Sequence, residues 1–284
     1  MSPRSRTCAV FFVLAVAATA CSVRPSAVGP VSDARHLSSL SASYDAAVLA
    51  LSPYAYYRLD ETSGTVATDS SGNGRNATYQ GTSGTHYLLG QTSIVAGLAH
   101  SLKTFGANPG YPKVAIPSVN LASNGSAWVS DFFVAAWAKP DSSQLSQATA
   151  VTEINDYYLG QGGANGSATT NAYMGGYPVA NWWGSQTTFA DGNAHLLTMT
   201  VHRNASGTCD LYLYVDGSAV QSATGTTCTG HSLIVVGTNA GIGGRVSFSG
   251  GAGPYFGEIG GVAIFSSALD ARHALALWTG YLAR

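Results

Sequence analysis

Apolar residues along the chain fall into short runs separated by Gly, Asn and Ser, and most runs alternate with polar positions at a period of two. That spacing predicts β-strands with a buried face. Such segments lie at 55–60, 113–116, 132–138, 148–154, 157–159, 172–174, 195–202, 211–215, 233–236 and 257–265. Two segments read as helices instead. Tyr44-Asp-Ala-Ala-Val-Leu-Ala-Leu51 is ended by Pro53. Asp270 caps Ala271-Arg-His-Ala-Leu-Ala-Leu-Trp278, and Gly280 is the expected stop. Asp216-Gly217 lies between two alternating runs and predicts a tight hairpin, because both central turn residues must take positive φ. Many short strands with no internal repeat predict an all-β, two-sheet antiparallel β-sandwich with short N- and C-terminal helices.

The first residues follow a different pattern. Arg4 and Arg6 precede an apolar run, 9–17, that is too short for a stable membrane span, and Ala18-Thr19-Ala20 supplies small residues for cleavage. Residues 1–20 are therefore expected to be an export signal, 21–43 a leader or tether, and 44–284 the sandwich domain. Ala18-Thr19-Ala20-Cys21 is also similar to a lipobox, in which Cys21 would carry a lipid, although Ala18 stands where a larger aliphatic residue is usual. Both readings cut the same bond and imply an exported protein, either released or anchored to a membrane through Cys21.

Composition narrows the function classes. Charged residues make up 10 % of the 284 residues and the formal net charge is −1, which gives no field for nucleic acid or an anionic membrane. Among four cysteines, Cys8 leaves with the signal and Cys21 sits at the cleavage point, leaving Cys209 and Cys228 as a disulfide pair in an oxidising compartment. Such a bridge closes a loop of about twenty residues and stabilises by roughly 3 kcal/mol in the chain-entropy model.

Catalytic chemistry finds little support. Glycoside cleavage needs two facing carboxylates, yet there are only three Glu: Glu61, Glu153 and Glu258. Glu153-Ile-Asn-Asp156 comes nearest to an alternating acid strand, with Asn155 in the middle place. No Gly-x-Ser-x-Gly elbow occurs, and His195 and His202, seven apart on one strand, point to opposite faces. The expectation is a chain without enzymatic activity and without a required cofactor. Asp69-Ser-Ser-Gly-Asn-Gly74 has two readings: Asp69 and Asn73 hold a structural Ca²⁺, or they form an Asx-type turn with their own backbone. For a ligand, Tyr157, Tyr158, Tyr173, Tyr177, Trp182 and Trp183 lie in a Gly- and Asn-rich segment with Asn181. Sugars stack apolar C–H faces on such rings and bond their hydroxyls to amides, so the expected partner is a glycan or other cell-surface ligand.

Longer blocks carry a family resemblance. The opening from Tyr44 through Arg58-Leu-Asp-Glu61, Ser63-Gly-Thr65 and Asp69-Ser-Ser-Gly-Asn-Gly74 resembles that of laminin-G-like jelly-roll domains of the concanavalin A-like lectin/glucanase superfamily. Asp131-Phe-Phe-Val-Ala-Ala-Trp-Ala-Lys-Pro140, Asp191-Gly-Asn-Ala-His195 with the strand to Val201, Leu213-Tyr-Val-Asp-Gly217, and Phe256-Gly-Glu-Ile-Gly-Gly-Val-Ala-Ile-Phe265 are similar to its later blocks, in order, over about residues 44–282. The resemblance implies a jelly-roll sandwich and a mostly non-catalytic recognition role on secreted or surface proteins. Two places depart from the pattern. Ala194 stands where a Trp is usual, and Gly260 and Gly261 stand where acidic residues are common.

Overall fold

The computed structural model of the protein describes residues 43–105, 114–117, 131–141, 149–154, 157–161, 171–176, 182–227, 240–244 and 255–282. Among these, the strands form two antiparallel sheets. The first runs through β14 (Ser218–Thr227), β13 (Thr208–Val215), β12 (His195–Arg203), β7 (Phe132–Pro140), β16 (Gly257–Phe265), β5 (His100–Thr104) and β4 (Tyr87–Thr92), with β1 (Ala55–Tyr57) also paired to β16. The second runs through β11 (Trp182–Thr188), β10 (Asn171–Gly176), β9 (Tyr157–Gln161), β8 (Thr149–Ile154), β15 (Ala240–Ile242), β6 (Val114–Ile116), β3 (Ala77–Tyr79) and β2 (Val66–Ala67). The predicted strand at 233–236 and the leader before Ser43 lie outside the described residues.

Two hydrophobic layers explain the strand patterns. Between the sheets, Val134, Ala136, Leu197, Met199 and Ile264 of the first meet Val114, Ile154, Leu159, Met174 and Ile242 of the second. Phe132 touches Tyr157 edge to face across this layer, with ring centroids 5.2 Å apart. The outer side of the first sheet is covered by α1 (Tyr44–Ala50) and α2 (Ala271–Leu282). There Phe133, Ala135, Trp137 and Phe265 pack with Tyr44, Val48, Ala274 and Leu277. β7 is therefore buried on both faces, which is why its sequence is a nearly continuous apolar run.

Local signals act as their chemistry requires. Asp216 and Gly217 have φ of 53° and 75°, the two positive values expected of the hairpin tip. Gly217 also lies so close to α2 that an added Cβ would sit 2.9 Å from the Leu275 Cα. Asp270 caps α2 by accepting from the Arg272 and His273 amides at 3.0 and 3.3 Å. The helix does not stop at Gly280 but continues to Leu282. A glycine weakens a helix by only about 1 kcal/mol, so it ends one only where no packing carries the turn onward.

Candidate functional site

Backbone pairing threads one unbroken row of positions across all eight described strands of the second sheet. The row is Val66, Thr78, Ala115, Gly241, Glu153, Tyr158, Gly175 and Trp182. Its chain neighbours Ala67, Ile154, Leu159, Met174 and Ile242 belong to the interlayer core. Successive strand residues face opposite ways, so the row occupies the outer face of the sheet. Toward β11 the row passes from Glu153 to Tyr158, Gly175 and Trp182. In the next outer row Tyr173 pairs with Gly160 on one side and Gly184 on the other.

The predicted ligand residues divide among three places. Tyr157 is fully buried in the interlayer core, one position out of phase with the outer row. Tyr158 and Tyr173 stand on the outer-face register, yet they are only 3 % and 0 % exposed. The expectation that these three rings offer open stacking faces is therefore corrected: Tyr157 is core, and the other two are closed from solvent. In the backbone pairing, Trp183 is the partner of Met174 and Trp182 the partner of Gly175. Tyr177 and Asn181 lie outside the described residues. Sequence reasoning found the segment but missed the row, because Glu153, Gly241 and Ala115 join it only through long-range strand pairing.

The turn expected as a calcium site is closed on itself. Asp69 Oδ1 accepts from the Tyr56 and Ser71 amides, both at 3.0 Å, and Oδ2 accepts from the Arg75 amide at 2.8 Å. Burial acts to raise this carboxyl, but the bonds from Ser71, Tyr56 and Arg75 outweigh it and hold it below its ordinary value. Asn73 turns its Nδ2 to the Pro53 and Tyr54 carbonyls at 3.0 and 3.1 Å. These are the bonds of the second reading, an Asx-type turn in which Asp69 accepts from backbone N–H donors.

Other charged residues also have structural partners. Arg58 forms a two-pronged pair with Asp45 of α1, at 2.6 and 2.9 Å, rather than with Asp60. Glu61 accepts from the Thr68 amide at 2.7 Å and the Tyr79 hydroxyl at 2.6 Å. Glu258 lies on the first sheet, in register with Lys103 and Lys139, and so on a different sheet from Glu153. Cys209 is buried on β13 and carries no free thiol, while Cys228 lies outside the described residues. Its register partner, Thr226, is two residues before Cys228. Cys21 lies outside the described residues too.

Comparison with known proteins places this geometry. The family model described as the concanavalin A-like lectin/glucanases superfamily matches residues 108–274, more than half of the chain. The chain belongs to this superfamily. Among curated proteins no sequence matches. Solved structures share the fold at low identity. The binding domain of Paraclostridial Mosquitocidal Protein 1 is 13 % identical with a TM-score of 0.53, over 82 % of this chain and 53 % of that one. The botulinum neurotoxin serotype D/C binding domain is 11 % identical with a TM-score of 0.53, over 81 % and 52 %. Trypanosoma rangeli sialidase, solved with sialic acid, is 11 % identical with a TM-score of 0.51, over 87 % and 39 %. The chain thus spans about half of each toxin domain and less of the sialidase.

Within the superfamily, the two sequence departures have a local cause. Gly261 has φ 56°, and an added Cβ would lie 2.5 Å from the Tyr44 ring. At Gly260 a Cβ would meet Val95 at 3.0 Å. A bulge between Gly260 and Ala263 turns this part of β16 under α1, leaving no room for acidic side chains. Ala194 is half-buried against the helix-covered layer, in which the rings of Trp137 and Trp278 stack with centroids 5.4 Å apart.

Proposed function

We propose that this chain is an exported recognition module that binds carbohydrate on the outer face of its second sheet, without catalysis. The observation that carries the reading is the continuous row from Glu153 through Tyr158 and Gly175 to Trp182. Because Tyr158 is closed from solvent, stacking of the sugar ring is assigned to the Trp182 position at the end of the row, with polar positions of the same segment for the hydroxyls. Membership of a lectin and glucanase superfamily supports the same class of ligand, and the sialidase that shares the fold was solved with sialic acid. Fold alone does not assign function, so the weight rests on the row.

The non-catalytic part rests on the acids. Glu61 is engaged by Thr68 and Tyr79, and Glu258 lies on the opposite sheet from Glu153. Among the described residues, Glu61 and Glu258 are thus placed apart from Glu153, which speaks against a Glu–Glu cleavage pair. Export and a choice between release and lipid anchoring through Cys21 follow from the leader sequence. A Cys209–Cys228 bridge is part of the proposal, supported by the Cys209–Thr226 pairing.

The test is a glycan array probed with the folded protein and with Trp182→Ala. Binding to a defined set of glycans, lost in the variant, is the expected result. Failure of the wild-type protein to bind any glycan would overturn the reading. Protein contact is a second reading, favoured by Leu49 of α1 and Leu275 of α2, both exposed on packed helices. It predicts protein capture that Leu275→Asp abolishes and Trp182→Ala leaves unchanged.

A further inference from the structure

His195, at the start of β12, lies between two carboxylates. Its Nδ1 is 2.7 Å from Asp216 Oδ2 and its Nε2 is 3.0 Å from Asp191 Oδ1. Both acids have other donors as well: the Leu196 amide reaches Asp216 Oδ1 at 2.9 Å, and Asn193 reaches Asp191 through its amide at 2.8 Å and its Nδ2 at 3.0 Å. An ionised carboxylate only accepts hydrogen bonds, and a neutral imidazole has a single N–H. Two short contacts to two carboxylates therefore favour the imidazolium form, in which both ring nitrogens donate.

The clasp joins the turn before β12, the start of β12 and the tip of the neighbouring hairpin. Asp191 lies in the turn after β11, His195 opens β12, and Asp216 forms the β13–β14 hairpin tip. That tip packs against α2, where Gly217 approaches Leu275 and Trp278. Around the imidazole, β7 offers the uncharged Ala138 as register partner, with Lys139 beside it in sequence, and Phe189 places its ring 6.0 Å away. The charged groups in contact with His195 are thus Asp191 and Asp216.

We propose that His195 is a protonation-dependent clasp that anchors the hairpin tip, and through it helix α2, while it is positively charged. The hydrogen bond to Asp216 raises the pKa of His195, burial opposes it, and the bond to Asp191 adds to the rise. Burial acts to raise Asp191 as well, but the bonds from Asn193 and His195 leave it at about 2. The sign follows from linkage. A histidine raised above its unfolded value of about 6.5 contributes stability that is complete below that pH. The contribution is lost as pH rises through the folded value, so the clasp loosens in alkali and tightens in acid.

The test is a pH titration of the full protein with ¹⁵N-labelled histidine, followed by NMR, beside hydrogen exchange of α2. For His195, both ring nitrogens should carry protons in the bound, acidic form, and the midpoint should lie above the ordinary value of about 6.5. Asp191→Asn, altered on the exposed side of the clasp, should move that midpoint down, and α2 amides should exchange several-fold faster once His195 is neutral. A wild-type His195 midpoint at or below the ordinary value would overturn the proposal. So would α2 protection in folded His195→Gln that equals wild type at both pH 6 and pH 9.

Discussion

The phenol of Tyr44 donates a hydrogen bond to the carbonyl of Gly261 at 2.5 Å, tying the first helix to the bulge of the last strand across 217 residues of sequence. The ring is fully buried against Trp137 and Tyr56, and burial pushes its hydroxyl far above the ordinary phenol range. Tyr44→Phe should keep the packing but leave the carbonyl without its donor, costing about 1–3 kcal/mol. Gly261→Ala should cost about 2 kcal/mol or more, because it adds a Cβ into the Tyr44 ring at positive φ. Urea unfolding of both variants checks the order; equal stability of Gly261→Ala and wild type would contradict it.

The Asp69 turn gives a pH and metal prediction. A carboxyl held below its unfolded value of about 3.9 contributes stability that is complete above that pH and is lost as pH falls through the folded value. Asp69→Ala frees three amides at once and should lower stability by at least about 2 kcal/mol near neutral pH. Adding EDTA to the wild-type protein should leave its melting temperature unchanged, since N–H donors already fill the carboxylate. A fall of several degrees on EDTA, restored by calcium, would return Asp69 and Asn73 to the role of metal ligands.

The bridge is tested by chemistry. With Cys209 joined to Cys228, thiol titration of the unfolded exported protein should find neither residue free. Cys228→Ser should lower stability by roughly 3 kcal/mol. Detection of a free Cys228 thiol in the wild-type protein would exclude the pairing.

Anchoring through Cys21 is a separate matter. Membrane fractionation should show the Cys21→Ser variant released while the wild type is retained, if the lipid is present. Equal partitioning of the two would leave a simple secreted form.

Local chemistry made much of the fold readable. β7, β12 and β16 appear in the sequence as apolar runs close to their observed bounds, and Asp216-Gly217 announces its own turn. β4 and β5 were not visible, because Tyr87–Thr92 and His100–Thr104 mix burial classes without clear alternation. β5 is placed by pairing with β16, a long-range contact, and β4 by pairing with β5. The candidate site was legible only as a segment. Tyr157 and Tyr158 are adjacent and equally aromatic, and only strand phase separates the core ring from the one on the outer row. For the same reason Asp69 could be read as a cation ligand or a turn, until the three amides converging on it were seen.

The central claim concerns the outer row, and Trp182 is its most discriminating position. The most direct measurement is glycan binding by folded wild type and Trp182→Ala, with Trp183→Ala, the next position along β11, as a control. The account predicts loss of binding at least about tenfold for Trp182→Ala, equivalent to about 1.4 kcal/mol, with its melting temperature close to wild type. Trp183→Ala should instead act through stability. Undiminished glycan binding by folded Trp182→Ala would contradict the account.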